Sequence, residues 1–381
     1  MIYLDNSATT QVFDGAAERM LQVMRNQYFN PSAAYGPAVQ CEREVEAARA
    51  RLLSCMGHPE GELIFTSGGT ESNNAAILGT LATLRKKHRI ITSLAEHPSV
   101  FNVYRQLEER GQAEVVYLST TPTGEVDPQA LSAVLTPDTA LVSLMHVNNE
   151  TGAVTDLQAI KNVIARQAPE ARFHVDGVQA FCRLPFTPLP CDFYAISGHK
   201  FHAPKGIGAL YIKKGTRFSG GQIGGGQEKG LRSGTLNSPG ILGMDTALET
   251  YGAHQNQWLP RLRAMKVRLA ENLLQLDGVC VNGPAPELGA PHILNLSFPG
   301  VRGEVLLHAL EAKGILVSTG SACSSHKRGK NRVLDSLGIS PARQESAIRF
   351  SLCPMNTLEQ MDEASNVIFE QVRFLRKYQR R

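Results

Sequence analysis

No CxxC pair occurs in the 381 residues, and the seven cysteines are an odd number. That argues against a disulfide framework and for a reducing cytoplasm. No apolar stretch approaches the roughly 20 residues of a membrane-spanning helix. Met1–Asp5 carries neither a basic run nor a long apolar one, so no signal peptide is expected. Internal repeats and low-complexity tracts are missing too. The net charge is +4, too small to imply nucleic acid by itself. What is there is a globular composition, 42% hydrophobic and 19% charged. The length suffices for a large core and two domains.

The apolar pattern alternates along the first two thirds. Helical spacing over Gly15–Met24 and Gly36–Cys55 is broken by Phe29-Asn30-Pro31-Ser32. Short runs of strand character follow at Leu63–Thr66, Arg89–Ser93, Ala113–Leu118, Ala140–Met145, Arg172–Asp176, Phe193–Ser197 and Gly208–Ile212. Helical patterns separate several of them, at Glu71–Lys87, Ser99–Arg110 and Leu157–Ala168. Strands alternating with helices predict an α/β domain with a mostly parallel sheet flanked by helices. Beyond a glycine-rich loop at 219–226, Pro239–Leu276 reads mainly as helix, with Pro260 as a kink. Past Gly252 strands are fewer (Val279–Val281, Ile293–Phe298, Ile315–Ser318, Ala347–Phe350) and helices longer. The expected organisation is a large domain over 13–251 and a smaller α+β domain over 252–381, joined by residues 1–12. The basic tail 374–381 reads as a last helical turn whose cations complement the dipole.

Several polar residues fall just past strands. Lys200, in Ser197-Gly198-His199-Lys200, follows an apolar run and precedes the turn Pro204-Lys205-Gly206. An amine there can lose solvent, drop in pKa and condense with an aldehyde, or be an ordinary solvated loop lysine. Thr66–Asn74 joins a strand to a helix through Gly68-Gly69. Backbone N–H groups there suit a phosphate, or the turn is capped by Ser67 or Thr70. It is neither a P-loop nor a GxGxxG dinucleotide turn. Asp176 ends a strand, where it can pair with a ring nitrogen or cap the next helix. His97 and Asn148 follow strands in the same way and can be structural. Together these form a phosphate cradle, a stacking imidazole, an asparagine, an acid and an amine, the set a pyridoxal phosphate enzyme needs.

These motifs, with Val147–Gly152, Arg232-Ser233-Gly234-Thr235 and Gly320-Ser321-Ala322-Cys323, span essentially the whole chain. They resemble the cysteine desulfurases of iron–sulfur cluster assembly and tRNA thiolation, within the fold-type I pyridoxal phosphate enzymes. The resemblance implies a homodimer that takes L-cysteine, stays off membranes and passes sulfur to an iron–sulfur scaffold or a tRNA-thiolation enzyme. By position it implies Lys200 as the lysine that holds the cofactor and moves a proton, and Cys323 as the sulfur acceptor. His97 becomes the ring-stacking and proton-moving histidine, Asp176 the partner of the ring nitrogen, and Gln179 that of the phenolic oxygen. Gly69, Thr70, Ser197 and His199 become phosphate ligands, with Thr235 supplied across a dimer interface. Asn148 and Arg349 become the grip on the substrate carboxylate. No metal site is assigned, although His199 and His202 are three residues apart.

The sequence departs from that pattern in two places. Cys353-Pro354 stands where Gly-Arg is common, placing another cysteine near the site. His326–Arg332 replaces a Glu-Pro pair; its cations Lys327, Arg328, Lys330 and Arg332 are a solvated basic loop or a docking surface for an acidic acceptor. Other readings are a selenocysteine lyase, another lyase or aminotransferase of this fold, and a catalytically silent docking scaffold. Lys200, Asp176, His97 and Cys323 together favour sulfur transfer.

Overall fold

The computed structural model describes residues 1–84, 88–319 and 331–378. The chain opens with a two-residue strand, β1 (Ile2–Tyr3), and two helices, α1 (Asp14–Asn26) and α2 (Gly36–Cys55). The alternating part then gives β2 (Glu62–Thr66), α3 (Gly69–Leu81), β3 (His88–Ser93), α4 (Pro98–Glu109), β4 (Ala113–Leu118), α5 (Pro128–Val134), β5 (Thr139–Met145), α6 (Leu157–Gln167), β6 (Arg172–Asp176), β7 (Phe193–Ser197) and β8 (Gly208–Ile212). A long helix, α7 (Ser238–Leu273), leads to β9 (Cys280–Val281), β10 (Ile293–Ser297), α8 (Gly303–Glu311) and β11 (Ile315–Leu316). After residue 331 come α9 (Arg332–Ser336), α10 (Pro341–Glu345), β12 (Ala347–Ser351) and α11 (Leu358–Arg376).

Seven strands form one sheet in the order β2-β8-β7-β6-β5-β3-β4. β7, β6, β5, β3 and β4 run parallel, whereas β8 is antiparallel to both of its neighbours. The mostly parallel sheet expected from the pattern is therefore present, with its reversal near one edge. β5 and β7 are buried along their whole length, as strands covered by helices on both faces require. Parallel strands end on one side of such a sheet, so Met145, Asp176 and Ser197 reach the same rim.

Local chemistry fixes several helix ends. α4 and α5 start at Pro98 and Pro128, each preceded by a side chain that accepts a first-turn N–H, His97 and Asp127. α11 carries a capping box between Thr357 and Gln360. α3 stops at Leu81, short of the expected Lys87. Thr80 Oγ1 bonds to Ala76 O, and Thr83 Oγ1 and N both bond to Thr80 O, replacing the helical pattern. α7 runs unbroken through Pro260; Pro260 and Asn256, whose carbonyl loses its N–H partner there, are both exposed.

The two largest apolar clusters take up most of the interior. One gathers buried side chains from Ala16 to Tyr251 around the large sheet. The other joins Ile2 and Leu4 to residues from Leu262 onward, around the antiparallel sheet β12-β10-β9 and the pair β1-β11. Polar side chains thread between them along Asp5–Thr10, and that passage is where the candidate site lies.

Candidate active site

Asp176 closes β6, and Lys200 follows β7, the neighbouring parallel strand. The chain leaves β7 as a single 3₁₀ turn, Gly198–Lys200, which swings the lysine back over the strand ends. There its Nζ donates to Ser7 O at 2.7 Å and Ala8 O at 2.8 Å. Burial pushes the ammonium down to about 7, helped by the Arg183 and Arg349 charges and opposed by Asp5 and Asp176. A share of this amine is neutral at physiological pH.

The N-terminal segment is the other half of the clasp. Thr10 N and Oγ1 both donate to His199 O at 3.0 Å, and Thr9 Oγ1 lies 3.2 Å from His199 Nδ1. Burial pushes the His199 imidazole down to about 3, so it is neutral. Gln179 Nε2 donates to Ser7 O at 3.0 Å, while Arg183, four residues on, donates to Gln179 Oε1 and to Asn6 O. Arg183 thereby fixes which end of the Gln179 amide carries the oxygen. Asp5 accepts from Arg349 Nη2 at 2.7 Å, and Arg349 Nη1 donates to Asn149 O at 3.0 Å. Three short runs far apart in sequence, 5–10, 176–200 and 349–351, thus meet at one rim.

The start of α3, a candidate anion cradle, sits beside it. Gly68 is the N-cap of α3 and offers no side chain, leaving the first N–H groups of the helix without an intrahelical partner. A Cβ on Gly69 would stand 2.5 Å from Val178 Cγ2, and one on Gly68 would stand 3.4 Å from Ser197 Oγ. Glycine at 69 lets the first turn of α3 close on Val178, and at 68 it permits a φ of +148°. Thr70 is exposed at this turn, and Ser197 is buried. Glu71 accepts from Ser67 N and pairs with Arg232 at 2.9 Å, tying the 219–237 segment to the cradle. Thr235, three residues further, is exposed.

His97 lies at the head of α4. Its Nδ1 accepts from Ser99 N at 3.2 Å and lies 2.8 Å from Ser99 Oγ, so the proton sits on Nε2. Burial lowers its pKa, against the pull of Asp176. Asn148 is occupied differently from what its position implies. Its Oδ1 accepts from Glu150 N, Thr151 N and Thr151 Oγ1, and its Nδ2 donates to Ala95 O, leaving one amide hydrogen to spare.

The family model for aminotransferase class-V matches residues 2–363. The chain belongs to the class-V aminotransferase family. A cysteine desulfurase of Nostoc sp. is 40% identical over 99% of this chain and 94% of its own length. A cysteine desulfurase IscS of Klebsiella pneumoniae is 41% identical with the same coverage. Among solved structures, a NifS-like protein superposes with a TM-score of 0.91 at 35% identity, over 98% of this chain and 99% of its own.

In this member of the family, Cys323, the position the resemblance marks as sulfur acceptor, and the cations Lys327, Arg328 and Lys330 lie outside the described residues. Arg332 is described, and it is not a docking cation. Its guanidinium stacks 3.6 Å from the Phe101 ring centroid and donates to Leu94 O and Glu96 O. The expectation that it belongs with the exposed charges is corrected on that ground. Cys353 is buried, and burial pushes its thiol up, which makes it a poor nucleophile at neutral pH. Sequence reasoning assigned no role to Asn73, Ser99, Arg183 or Asp5. The spacing of Gln179 and Arg183, four apart after a strand, was the one available signal; Asp5 had none.

Proposed function

We propose that the protein is a pyridoxal phosphate-dependent cysteine desulfurase, converting L-cysteine to L-alanine and passing the sulfur to Cys323. One observation carries the reading. A lysine amine lowered to about 7 stands one strand from a buried aspartate, beside an uncapped helix N-terminus.

The donor set suits the cofactor. N–H groups of the first turn of α3, with Gly69, Thr70, Ser197 and His199, offer hydrogen bonds to a phosphate. Asp176 would face the ring nitrogen, Gln179 the phenolic oxygen, and His97 a ring face. Pyridoxal phosphate, when bound, supplies an aldehyde for amines and an electron sink for the pair left by a departing Cα proton. Lys200 takes that proton and returns one, which a group titrating near neutrality does well. Arg349, steadied by Asn149 O and Asp5, receives the substrate carboxylate, with Asn148 contributing its spare hydrogen. The Cys323 thiolate forms an S–S bond to the substrate sulfur as the Cβ–S bond breaks. The electron pair passes to the carbon skeleton, which leaves as alanine after protonation.

The same reading includes a cytoplasmic homodimer in which Thr235 serves the partner's phosphate. It also includes a large domain, 13–251, and a small one, 252–381 with 1–12. The two largest apolar clusters support the division, while smaller ones around Ala95 and Val147 join the halves. Sulfur then goes to an iron–sulfur scaffold or a tRNA-thiolation enzyme. Verified heterodimers of Lys200→Ala and Thr235→Ala chains should regain one high-affinity cofactor site; no regain refutes the shared site. The activity itself is tested by incubating the purified holoenzyme with L-cysteine and a thiol reductant. Alanine and sulfide in equal amounts are expected, and a protein without visible absorbance or alanine formation overturns the reading.

A further inference from the structure

Behind Asp176 the interior is polar where a sheet-helix layer is usually apolar. Asn73, His174, Ser143 and Tyr104 are at most 1% exposed, and every one of them is hydrogen-bonded to the next. Asn73 Nδ2 donates to Asp176 Oδ2 at 2.8 Å. A carboxylate only accepts, so the amide's nitrogen must face it and Oδ1 must face His174 Nε2, 3.2 Å away. His174 Nε2 therefore carries the proton, and its Nδ1 accepts from the Ser143 hydroxyl at 3.0 Å. Ser143 Oγ in turn accepts from Tyr104 OH at 2.7 Å. Every donor in this line points toward Asp176, the arrangement in which successive hydrogen bonds polarise one another.

Asn73 also has a second arm. The other hydrogen of its Nδ2 goes to Ser99 Oγ at 2.9 Å; because His97 Nδ1 already accepts from Ser99 N, the Ser99 hydroxyl is left to turn its own proton onto that same Nδ1. One amide thus orients the Asp176 carboxylate and fixes the His97 tautomer. The carboxylate's remaining oxygen, Oδ1, accepts from Val178 N at 3.0 Å, so its plane is held from both ends.

We propose that Asn73 is the positioning residue of this site, setting the Asp176 carboxylate and the His97 tautomer together through the Tyr104–Ser143–His174 line and the Ser99 arm. The inference rests on the reading that Asp176 and His97 face the cofactor ring. It goes beyond it by making the two groups one unit. Removing the amide leaves His174 Nε2 and Ser99 Oγ without their partner and lets both functional side chains turn.

The test uses the full-length protein with and without pyridoxal phosphate. In wild type, imidazole ¹⁵N shifts should report His97 and His174 as single Nε2–H tautomers, His174 remaining neutral down to pH 5, consistent with its burial. Asn73→Ala should mix the His97 tautomers, weaken cofactor binding by roughly tenfold or more, the scale of one hydrogen bond to a charged group, and move the pH midpoint of the cofactor's visible absorbance. Ser99→Ala should mix the His97 tautomers while leaving that midpoint in place, which a merely structural loss would not separate. If Asn73→Ala fails to fold, His174→Leu cuts the line one bond earlier and Ser99→Ala still tests the other arm. Wild-type tautomers, affinity and midpoint in Asn73→Ala, or in His174→Leu and Ser99→Ala, overturn the inference. A wild-type protein that binds no cofactor sinks the reading beneath it, and the imidazole shifts of the cofactor-free protein still decide whether Asn73 acts as the hub.

Discussion

Lys200 and Lys266 are two lysines with the same immediate surroundings and different company. Each amine donates to a pair of backbone carbonyls, Ser7 and Ala8 for one, Leu288 and Ala290 for the other. Burial pushes each down to about 7. Around Lys200 stand Asp176, the open turn of α3, His97 and Arg349. Around Lys266 stands Arg263, whose guanidinium donates to Leu288 O and Gly289 O of the same turn, so the pair staples residues 288–290 to α7. A lowered lysine pKa reports lost solvent, and loss of solvent is common to a structural staple and a reactive amine. What separates them is convergence: strand ends aim acid, amine and the open start of α3 at one space near Lys200, and among the described residues nothing comparable converges on Lys266.

The sharpest way to break this comparison is to remove each amine. Lys200→Ala should lower alanine formation from L-cysteine by at least about 10³-fold, within the range for loss of a proton-transfer group, while circular dichroism stays native. Lys266→Met should leave the rate within about threefold, since no catalytic contact is lost, and cost about 1–3 kcal/mol for unsatisfied carbonyls. Equal losses of activity in the two variants would show that the lysines are not functionally distinct.

Cysteines offer the same contrast. Cys323→Ser should abolish sulfide release yet preserve the absorbance change on adding L-cysteine, because only the sulfur step needs that thiol. Cys353→Ser should retain most of the rate, its thiol being buried and raised. Normal sulfide release by Cys323→Ser would move the nucleophile elsewhere.

A smaller effect is expected at the carboxylate grip. Arg349→Lys should raise KM for L-cysteine by about tenfold or more with less change in kcat, since a point charge replaces a planar fork. Asp5→Asn should raise it less, because Asn149 O still steadies the guanidinium. A KM unchanged in Arg349→Lys removes the arginine from substrate binding.

Much of this site was legible because it rides on local pattern. β4, β6, β7 and β8 fall on the residues their apolar runs mark, so the side chains just past them, Asp176 and Lys200, were placed by counting. The clasp was not legible. Ser7, Ala8 and Asn6 act through backbone carbonyls, which every residue has, so no side-chain type in that stretch marks the contact. Asn73 lies inside a stretch marked for its glycines, yet its role depends on His174, which is 101 positions away in the chain. Asn148 was placed at the right rim, but its hydrogen bonds to its own loop follow from the fold of Asn148–Ala153 and not from residue type. α5 went unmarked because seven residues of Pro128–Val134 are too few to show a helical period.

The subtlest separation of the two lysines is in pH. A lysine ordinarily titrates near 10.4, and both fold into sites where the value is about 7. Between those values the unfolded chain holds a proton that the folded chain has released. Stability of the cofactor-free protein therefore rises with pH across that window and is flat in this contribution below it. Replacing either lysine with methionine removes one share of the rise. In urea titrations from pH 6 to 10, wild type should gain stability relative to Lys266→Met as pH increases, and likewise relative to Lys200→Met. Under the proposed function, pyridoxal phosphate should break the symmetry. Once the cofactor engages the Lys200 amine, that group no longer titrates as a free lysine, and the slope of wild type against Lys200→Met should flatten. The slope against Lys266→Met should stay as it was. A cofactor-loaded protein that keeps both slopes would mean that Lys200, like Lys266, only staples the fold.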